Sequence, residues 1–414
     1  MKWPASAGAA HIRRCAVCES ALITGSMEVV SDYTAKQKEK DKFSVEKKNK
    51  PKTYFDYTLL IITLVLVAFG LMMIASASPY YAIQKDLPTT YFVRSQAIKA
   101  AIGVALMVIG AKLNYNWLKI RLAHKISVTT ILYIVCIALQ LVVLVKGNSV
   151  NGSSRWITIP LVGQFQPSEV TKLCLILYIA KAIAAKPKRL DRFFGFVIII
   201  ATAAPLFILV ALENLSTAII MVGLAFAMCF VASRKSFYYI LTVVLMVPVF
   251  IFFLQSQGYR MTRVQVWLTD PTGGYQIQQG LYAICAGGWF GKGLGNSAQK
   301  RFVPEVHTDM IFTIICEELG LLGVIVLFLV YGLLIWRIAK VALNAPDLFG
   351  SLLCVGVLGH ISLQVMLNVG VVTKLLPATG VILPFISFGG TSLIILLAEM
   401  GIVMSVASRV EYEQ

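Results

Sequence analysis

Residues 57–77 read YTLLIITLVLVAFGLMMIASA, a run without a single charged side chain. A bilayer core about 30 Å thick takes roughly 17–25 such residues as one helix. Similar runs recur along the chain, separated by short polar segments. The spans fall at 55–77, 96–112, 126–145, 169–185, 193–212, 214–232, 237–255, 309–335, 348–370 and 387–408. Spans five and six meet at a tight polar turn around Glu213 and Asn214. The fold class this predicts is all-α, a polytopic membrane protein with about ten transmembrane helices.

Composition agrees. Hydrophobic residues make up 58% of the chain and charged residues 14%, whereas a soluble domain carries about 25% charged. The net charge of +17 sorts by loop. Lys112, Lys119, Arg121 and Lys125 lie between spans two and three. Lys186, Lys188, Arg189 and Arg192 follow span four, and Arg234 and Lys235 follow span six. Under the positive-inside rule these loops are cytoplasmic, and so are both termini. Topology thus accounts for the charge, and no nucleic acid partner is expected.

The chain divides into a polar tail at 1–52, a membrane domain at 53–410 and a short cytoplasmic end at 411–414. The tail closes on AKQKEKDKFSVEKKNKPK at 35–52, the composition of a disordered segment lying on anionic lipid. Met27 is a second candidate start. Cys136, Cys174, Cys229, Cys316 and Cys354 sit inside apolar runs and read as buried hydrophobes. Cys15 and Cys18 form a CxxC with no second pair, a weak zinc signal.

Three outer segments, 146–168, 256–308 and 371–386, are too long and too patterned to be simple turns. The second, between spans seven and eight, is the largest. It carries Arg260, Arg263, Lys292, Lys300 and Arg301 on the side where cations are disfavoured, so an anionic ligand is the simplest reason for them. It ends in Pro304-Glu305-Val306-His307-Thr308-Asp309. Asp309 stands where loop becomes helix. There it can be an N-cap, or a base that takes a proton from an attacking sugar hydroxyl. His307 beside it is either a structural hydrogen-bonder or a group that orders Glu305 and Asp309. Glu169 and Lys172 are three apart and share a helix face, as a self-neutralising pair or as the wall of a substrate cavity. Glu317 and Glu318 lie within span eight, where an ionisable group faces a partner or a cavity.

Arg155 and Trp156, in NGSSRW at 151–156, offer a phosphate-matching fork and a ring that anchors at the interface or stacks on a sugar. The glycine-rich run GGWFGKGLGNS at 287–297 reads as a flexible loop or as backbone approaching a ligand. PATGVILPFISFGGTS at 377–392, with Ser387 and Thr391, suggests broken backbone at membrane depth, tolerated when buried in protein or lining a cavity. Together these residues describe an outer-face site for a lipid-linked or anionic substrate.

SSRWI at 153–157, QPSEVTK at 166–172, YQIQQGLYAICAGGWFGKGLGNSAQK at 275–300, PEVHTDMIF at 304–312, EELG at 317–320 and LLPATGVILPFISFGGTS at 375–392 occur in one order and topology. In these motifs the chain resembles the SEDS family (shape, elongation, division and sporulation) over roughly 54–410. The LGNSAQK form is nearest its cell-division branch. After span five the family's Pro-Asp-Leu-Gly-Thr pattern reads Glu213-Asn214-Leu215-Ser216-Thr217 here, so no role passes to Asn214.

The resemblance implies a GT-C-like helical fold and polymerisation of lipid II, a polyprenyl-diphosphate-linked disaccharide-pentapeptide, outside the bacterial cytoplasmic membrane at the septum. It also implies a class B penicillin-binding transpeptidase as partner, with other divisome proteins. The family's essential aspartate falls on Asp309. Arg155, Arg263 and Lys300 become candidates for the leaving diphosphate, and Trp156, Glu169, Lys172, Glu305, His307, Ser387 and Thr391 complete the expected substrate site. The resemblance fixes no cofactor, and a divalent cation, Mg or Mn, would suit a diphosphate. Two other readings stay open, a transporter of the lipid-linked precursor and a non-catalytic scaffold of the division complex.

Overall fold

The computed structural model describes residues 55–410, apart from short stretches at 120, 124–125, 151–152, 160–162, 191–192, 234–247, 249–250, 256–257 and 271. The basic tail, the CxxC and most of the seventh expected span lie outside the described residues; of that span, residues 251–255 are helical.

Helix α1 (Tyr57–Ala77) starts at Asp56, whose carboxylate accepts from the Leu59 amide at 3.2 Å. The same carboxylate pairs with Arg337 at 2.8 Å. After the short α2 (Pro79–Gln84) come α3 (Tyr91–Lys112), the strands β1 (Arg121–Ala123) and β2 (Ile126–Ser127), and α4 (Val128–Lys146). Then follow β3 (Asn148–Val150), β4 (Ser153–Ile159) and β5 (Gly163–Phe165), an antiparallel three-stranded sheet in the order β3-β4-β5. The all-α reading missed this sheet. Its signal is the aromatic and β-branched run Trp156-Ile157-Thr158-Ile159 within SSRWITI, the residue types that favour strands. Thr158 stands opposite Gln164, and Ile159 opposite Gly163.

Helices α5 (Pro167–Ala185), α6 (Phe193–Glu213) and α7 (Leu215–Ala232) continue the bundle. Asn214 alone separates α6 from α7 and caps α7, its side chain accepting from the Thr217 amide at 3.2 Å. The large loop folds into two short helices, α8 (Gly258–Thr269) and α9 (Tyr275–Gly287). The long helices α10 (Ile311–Leu343), α11 (Leu348–Val372) and α12 (Gly390–Ala407) complete the chain.

Among the described residues, α1, α3, α4, α6, α7, α10, α11 and α12 are long and apolar enough to span. Helix α5, the fourth expected span, differs because it carries Glu169, Lys172 and Lys181. It is largely buried against α4, α7 and α11, which explains how it keeps charge at that depth. Without a hydrophobic drive between helices in lipid, close packing needs small residues. The closest pair, α3 and α12, meets at glycines: a Cβ on Gly401 would lie 2.7 Å from the Met107 carbonyl oxygen.

The glycine-rich run is a packed segment rather than a loose loop. It packs backbone to backbone on α10, which breaks at Gly320 (φ 66). Amides that lose their helical partner there find carbonyls in the run: Leu321 donates to Gly288 (2.9 Å) and Leu322 to Trp289 (3.1 Å). In return, Lys292 donates to Glu317 and Gly293 to Glu318, both at 2.9 Å. The 377–389 segment is irregular and largely buried. The Asn368 amide donates to Val381 (2.7 Å), and the Tyr331 hydroxyl to Pro384 (2.5 Å). Its polar backbone is thus satisfied by protein, as a bilayer requires.

Candidate active site

Asp309 sits in the turn just before α10, half-buried at the end of the bundle where α11 finishes. Three elements fix it. The Asn368 side chain of α11 donates to the Asp309 carbonyl at 2.8 Å. The Thr308 hydroxyl lies 3.3 Å from Oδ1 and also bonds the Glu305 carbonyl oxygen at 2.9 Å. Gly380, at φ 66, leaves the other face open, since a Cβ there would stand 3.5 Å from Oδ2.

Burial, reinforced by the negative charge of Glu305, pushes the Asp309 carboxyl up to about 6, with Thr308 and Arg263 acting the other way. A carboxylate near 6 can take and release a proton close to neutral pH, whereas an ordinary aspartate holds a proton too weakly.

A model of the FtsW/RodA/SpoVE family, described as a cell cycle protein, matches residues 57–412. The chain belongs to this family. It is 39% identical over 373 residues to stage V sporulation protein E of Bacillus subtilis (strain 168), covering 87% of this chain and 99% of that one. A probable peptidoglycan glycosyltransferase FtsW of Geobacter metallireducens is 38% identical over 366 residues, covering 86% and 96%. Among solved structures, one described as "Structural coordination of polymerization and crosslinking by a peptidoglycan synthase complex" superposes with a TM-score of 0.70 at 29% identity, covering 85% of this chain and 97% of that one. The rod shape determining protein RodA of Thermus thermophilus gives a TM-score of 0.60 at 26% identity, covering 87% and 98%.

Around the Asp309 of this FtsW/RodA/SpoVE chain, the other expected site residues separate. Glu305 is exposed, two turn residues away, and contacts Thr308 at 3.2 Å. Arg263, on α8, donates to the Ala378 carbonyl oxygen at 3.3 Å, and its charge reaches Asp309. Arg155 lies on β4, and its Nε donates to the Glu213 carbonyl at 3.1 Å. Arg260 donates to Ala211 and Leu212 at 2.9 and 2.8 Å. Both guanidinium groups therefore serve the carbonyls that α6 leaves unpaired at its C-terminus. Trp156 is half-buried on the same strand, β4, opposite Asn148. Lys300 donates to the Gly295 carbonyl at 2.6 Å and so tightens its own loop.

His307 turns away from Asp309 into a cluster of rings. It is 2% exposed, its ring lying 4.7 Å from Tyr81, 4.3 Å from Phe92 and 5.4 Å from Phe388. Burial pushes it down to about 4, so it is neutral and packs as an aromatic. Ser387 and Thr391 each hold backbone. Ser387 accepts from the Leu383 amide at 2.8 Å, and Thr391 from the Gln166 amide at 3.1 Å. Glu317 gathers Lys292, Ser297 and the amides of Ala298 and Gln299, while Glu318 accepts from Ser76 at 2.5 Å.

Glu169 and Lys172 form a buried ion pair at 3.0 Å. Replacing Lys172 with alanine would leave a buried carboxylate alone, a loss of about 3–5 kcal/mol, while Glu169→Gln with Lys172→Met should restore most of it. Thermal unfolding of the purified proteins in detergent measures both.

Asn368 is the residue sequence reasoning missed. The signal was present as His360, Gln364 and Asn368, polar positions four apart in an apolar span and therefore on one helix face. Among the described residues no three His, Cys, Asp or Glu side chains gather into a metal site.

Proposed function

We propose that this chain is a peptidoglycan glycosyltransferase that polymerises lipid II into glycan strands at the outer face of the cytoplasmic membrane, with Asp309 as general base. The observation that carries the reading is the half-buried Asp309 carboxyl, held up to about 6 at the head of α10. Relatives named as probable peptidoglycan glycosyltransferases support the reaction class.

In the reaction the 4-hydroxyl of the acceptor GlcNAc attacks C1 of the donor MurNAc. Its proton passes to the Asp309 carboxylate. The C1–O bond to the lipid diphosphate breaks, the diphosphate leaves with the electron pair, and the configuration at C1 inverts. Asp309 then returns the proton to solvent. Arg263, whose charge reaches Asp309, would meet the leaving charge.

Septal synthesis is the role we assign, on the LGNSAQK motif of the division branch. A class B transpeptidase partner agrees with the synthase complex found among the structural neighbours. Both termini are assigned to the cytoplasm on loop charge. The test is polymerisation of labelled lipid II by the purified protein with its transpeptidase. Glycan strands are expected, and their absence despite a folded, assembled complex would overturn the reading.

One observation favours a second reading, transport of the precursor. The bundle interior holds the Glu169–Lys172 pair and a His360–Glu399 pair at 2.8 Å, with Glu169 Oε2, His360 Nε2, Gln364 Oε1 and Glu399 Oε1 buried without hydrogen-bond partners. Strand synthesis in detergent, where no membrane is crossed, excludes transport as the sole function.

A further inference from the structure

A polar atom at membrane depth has no bulk water to turn to, so each one needs a partner inside the protein. Among the described residues ten buried side-chain atoms have no hydrogen bond of ordinary geometry, and six of them gather where α5, α11 and α12 meet. They are Glu169 Oε2, His360 Nε2, Gln364 Oε1, Asn368 Oδ1, Ser392 Oγ and Glu399 Oε1. His360 and Glu399 form the inner end, both 0% exposed, with Nδ1 of the ring 2.8 Å from Oε2. Gln364 and Asn368 follow on the same face of α11, one and two turns further out. Across from them, Ser392 lies two turns outward of Glu399 on α12. It stands next to Glu169 of α5, which is also within electrostatic reach of His360.

These atoms cannot satisfy one another. The unpartnered oxygens of Glu169, Gln364, Asn368 and Glu399 are acceptors. Asn368 has already given its amide hydrogens to the carbonyls of Asp309 and Val381. The Ser392 hydroxyl can donate, and His360 Nε2 donates or accepts according to which partner keeps the proton it shares with Glu399. Four acceptors therefore stand against at most two donors, and the group needs a guest that brings hydrogens of its own. Water brings two per molecule. The spacing suits it as well: side chains four apart on a helix have Cβ atoms about 5–6 Å apart, a gap that two hydrogen bonds of about 2.8 Å cover through one water. A metal ion suits the group less, because its acids and histidine do not gather as ligands around one point.

We infer that α5, α11 and α12 enclose a binding site for a short file of ordered water, with the His360–Glu399 pair as its floor and Asn368 as its outer end. Buried waters typically bridge about three polar groups that are otherwise unsatisfied, and these helices supply such groups from three sides. The file is blind. Inward of the pair lie Leu353 and Val357 on α11 and Val403 on α12, all buried and apolar. A blind file carries no substrate across the bilayer, so it accounts for the unpartnered atoms without a transport path. At the outer end the water braces the Asn368 amide that holds the Asp309 carbonyl at 2.8 Å. The inference does not depend on the glycosyltransferase reading.

The test is X-ray radiolytic footprinting of the full-length protein in detergent, in which hydroxyl radicals formed at bound water oxidise the side chains that touch it. His360 should be oxidised although it is shut off from solvent. Met73 and Met107 are equally buried and more easily oxidised, yet they stand in the apolar core and should stay intact. Met404, buried on α12 inward of the pair, should stay intact too. Gln364→Met keeps the length of the side chain, removes the middle of the file and leaves the His360–Glu399 pair in place. It should lose most of the His360 signal. An intact His360 in wild type would overturn the inference, and so would an unchanged signal in a folded Gln364→Met protein. If that variant does not fold, the wild-type contrast between His360 and the two core methionines decides alone. Oxidation of Met404 together with His360 would overturn the closed floor. Unfolding temperatures in sodium, potassium, magnesium and choline chloride should agree. Stabilisation by one metal cation that Glu399→Gln abolishes would overturn water as the guest in favour of that cation.

Discussion

Asp309→Asn should lower strand synthesis by at least about a hundredfold, the range that a positioned general base supplies. The substitution keeps the shape of the side chain and the backbone bond from Asn368 at 2.8 Å, so the loss should come from proton transfer rather than misfolding. Two controls separate them. The first is stability. Burial holds the folded carboxyl at about 6, above its ordinary 3.8. Folding therefore favours the protonated form, and the ionised group destabilises wild type at neutral pH. The asparagine protein should melt no lower than wild type above about pH 6, and any advantage should vanish below the ordinary value, where the wild-type group is neutral folded and unfolded alike.

The second control is the pH profile. Only ionised Asp309 is a base, so wild-type activity should rise with pH, level off above about 6, and fall tenfold per unit below it. Glu305→Gln removes one of the charges that raise Asp309. It should move the inflection to lower pH, a shift that a purely structural role for Glu305 would not produce. Strand synthesis at wild-type rate in Asp309→Asn would remove Asp309 from the centre of the reaction while leaving the enzyme reading in place.

Gly287→Ala should abolish folded protein in the membrane. A Cβ at Gly287 would lie 1.9 Å from the Cys316 carbonyl oxygen and 3.1 Å from the Glu317 Cα. Both are backbone atoms of α10, held by the hydrogen bonds across the break at Gly320, so neither can step aside as a side-chain tip would. Overpacking in a core typically costs about 1–3 kcal/mol when side chains can adjust, and here the backbone itself must part. Gly332 on the same helix is the matched control, with nothing within 4 Å of its added Cβ. Gly332→Ala should be neutral or stabilising by about 0.5–1 kcal/mol, since alanine is the better helix former. Membrane-fraction yield and thermal unfolding distinguish the two. Equal behaviour would mean that the glycine run is not a packing device.

The spans were legible because bilayer thickness sets a length and hydrocarbon excludes charge, both one-dimensional properties of a chain. Residues 57–77, 348–372 and 390–407 become helices close to their expected limits. Asp309 was also legible, because a carboxylate at the head of a helix is a local feature. The β3-β4-β5 sheet was written in SSRWITI but masked by its place between two helices.

Tertiary structure alone decided which side chains face Asp309. Arg155, Arg263 and Lys300 are alike in sequence, yet long cations choose among carbonyl oxygens that only the folded chain brings near. Arg155 and Lys300 turn to Glu213 and Gly295, and Arg263 comes close enough for its charge to act on Asp309. His307 is two residues from Asp309 along the chain, but the turn sends its ring into the aromatic cluster. Asn368 is far away in sequence and touches the Asp309 carbonyl oxygen because α11 runs back beside α10. The sequence determined where long apolar lengths fall along the chain and where an acid stands at the edge of one of them. The fold decided that acid's neighbours, because contacts between distant segments depend on how helices pack rather than on the order of residues.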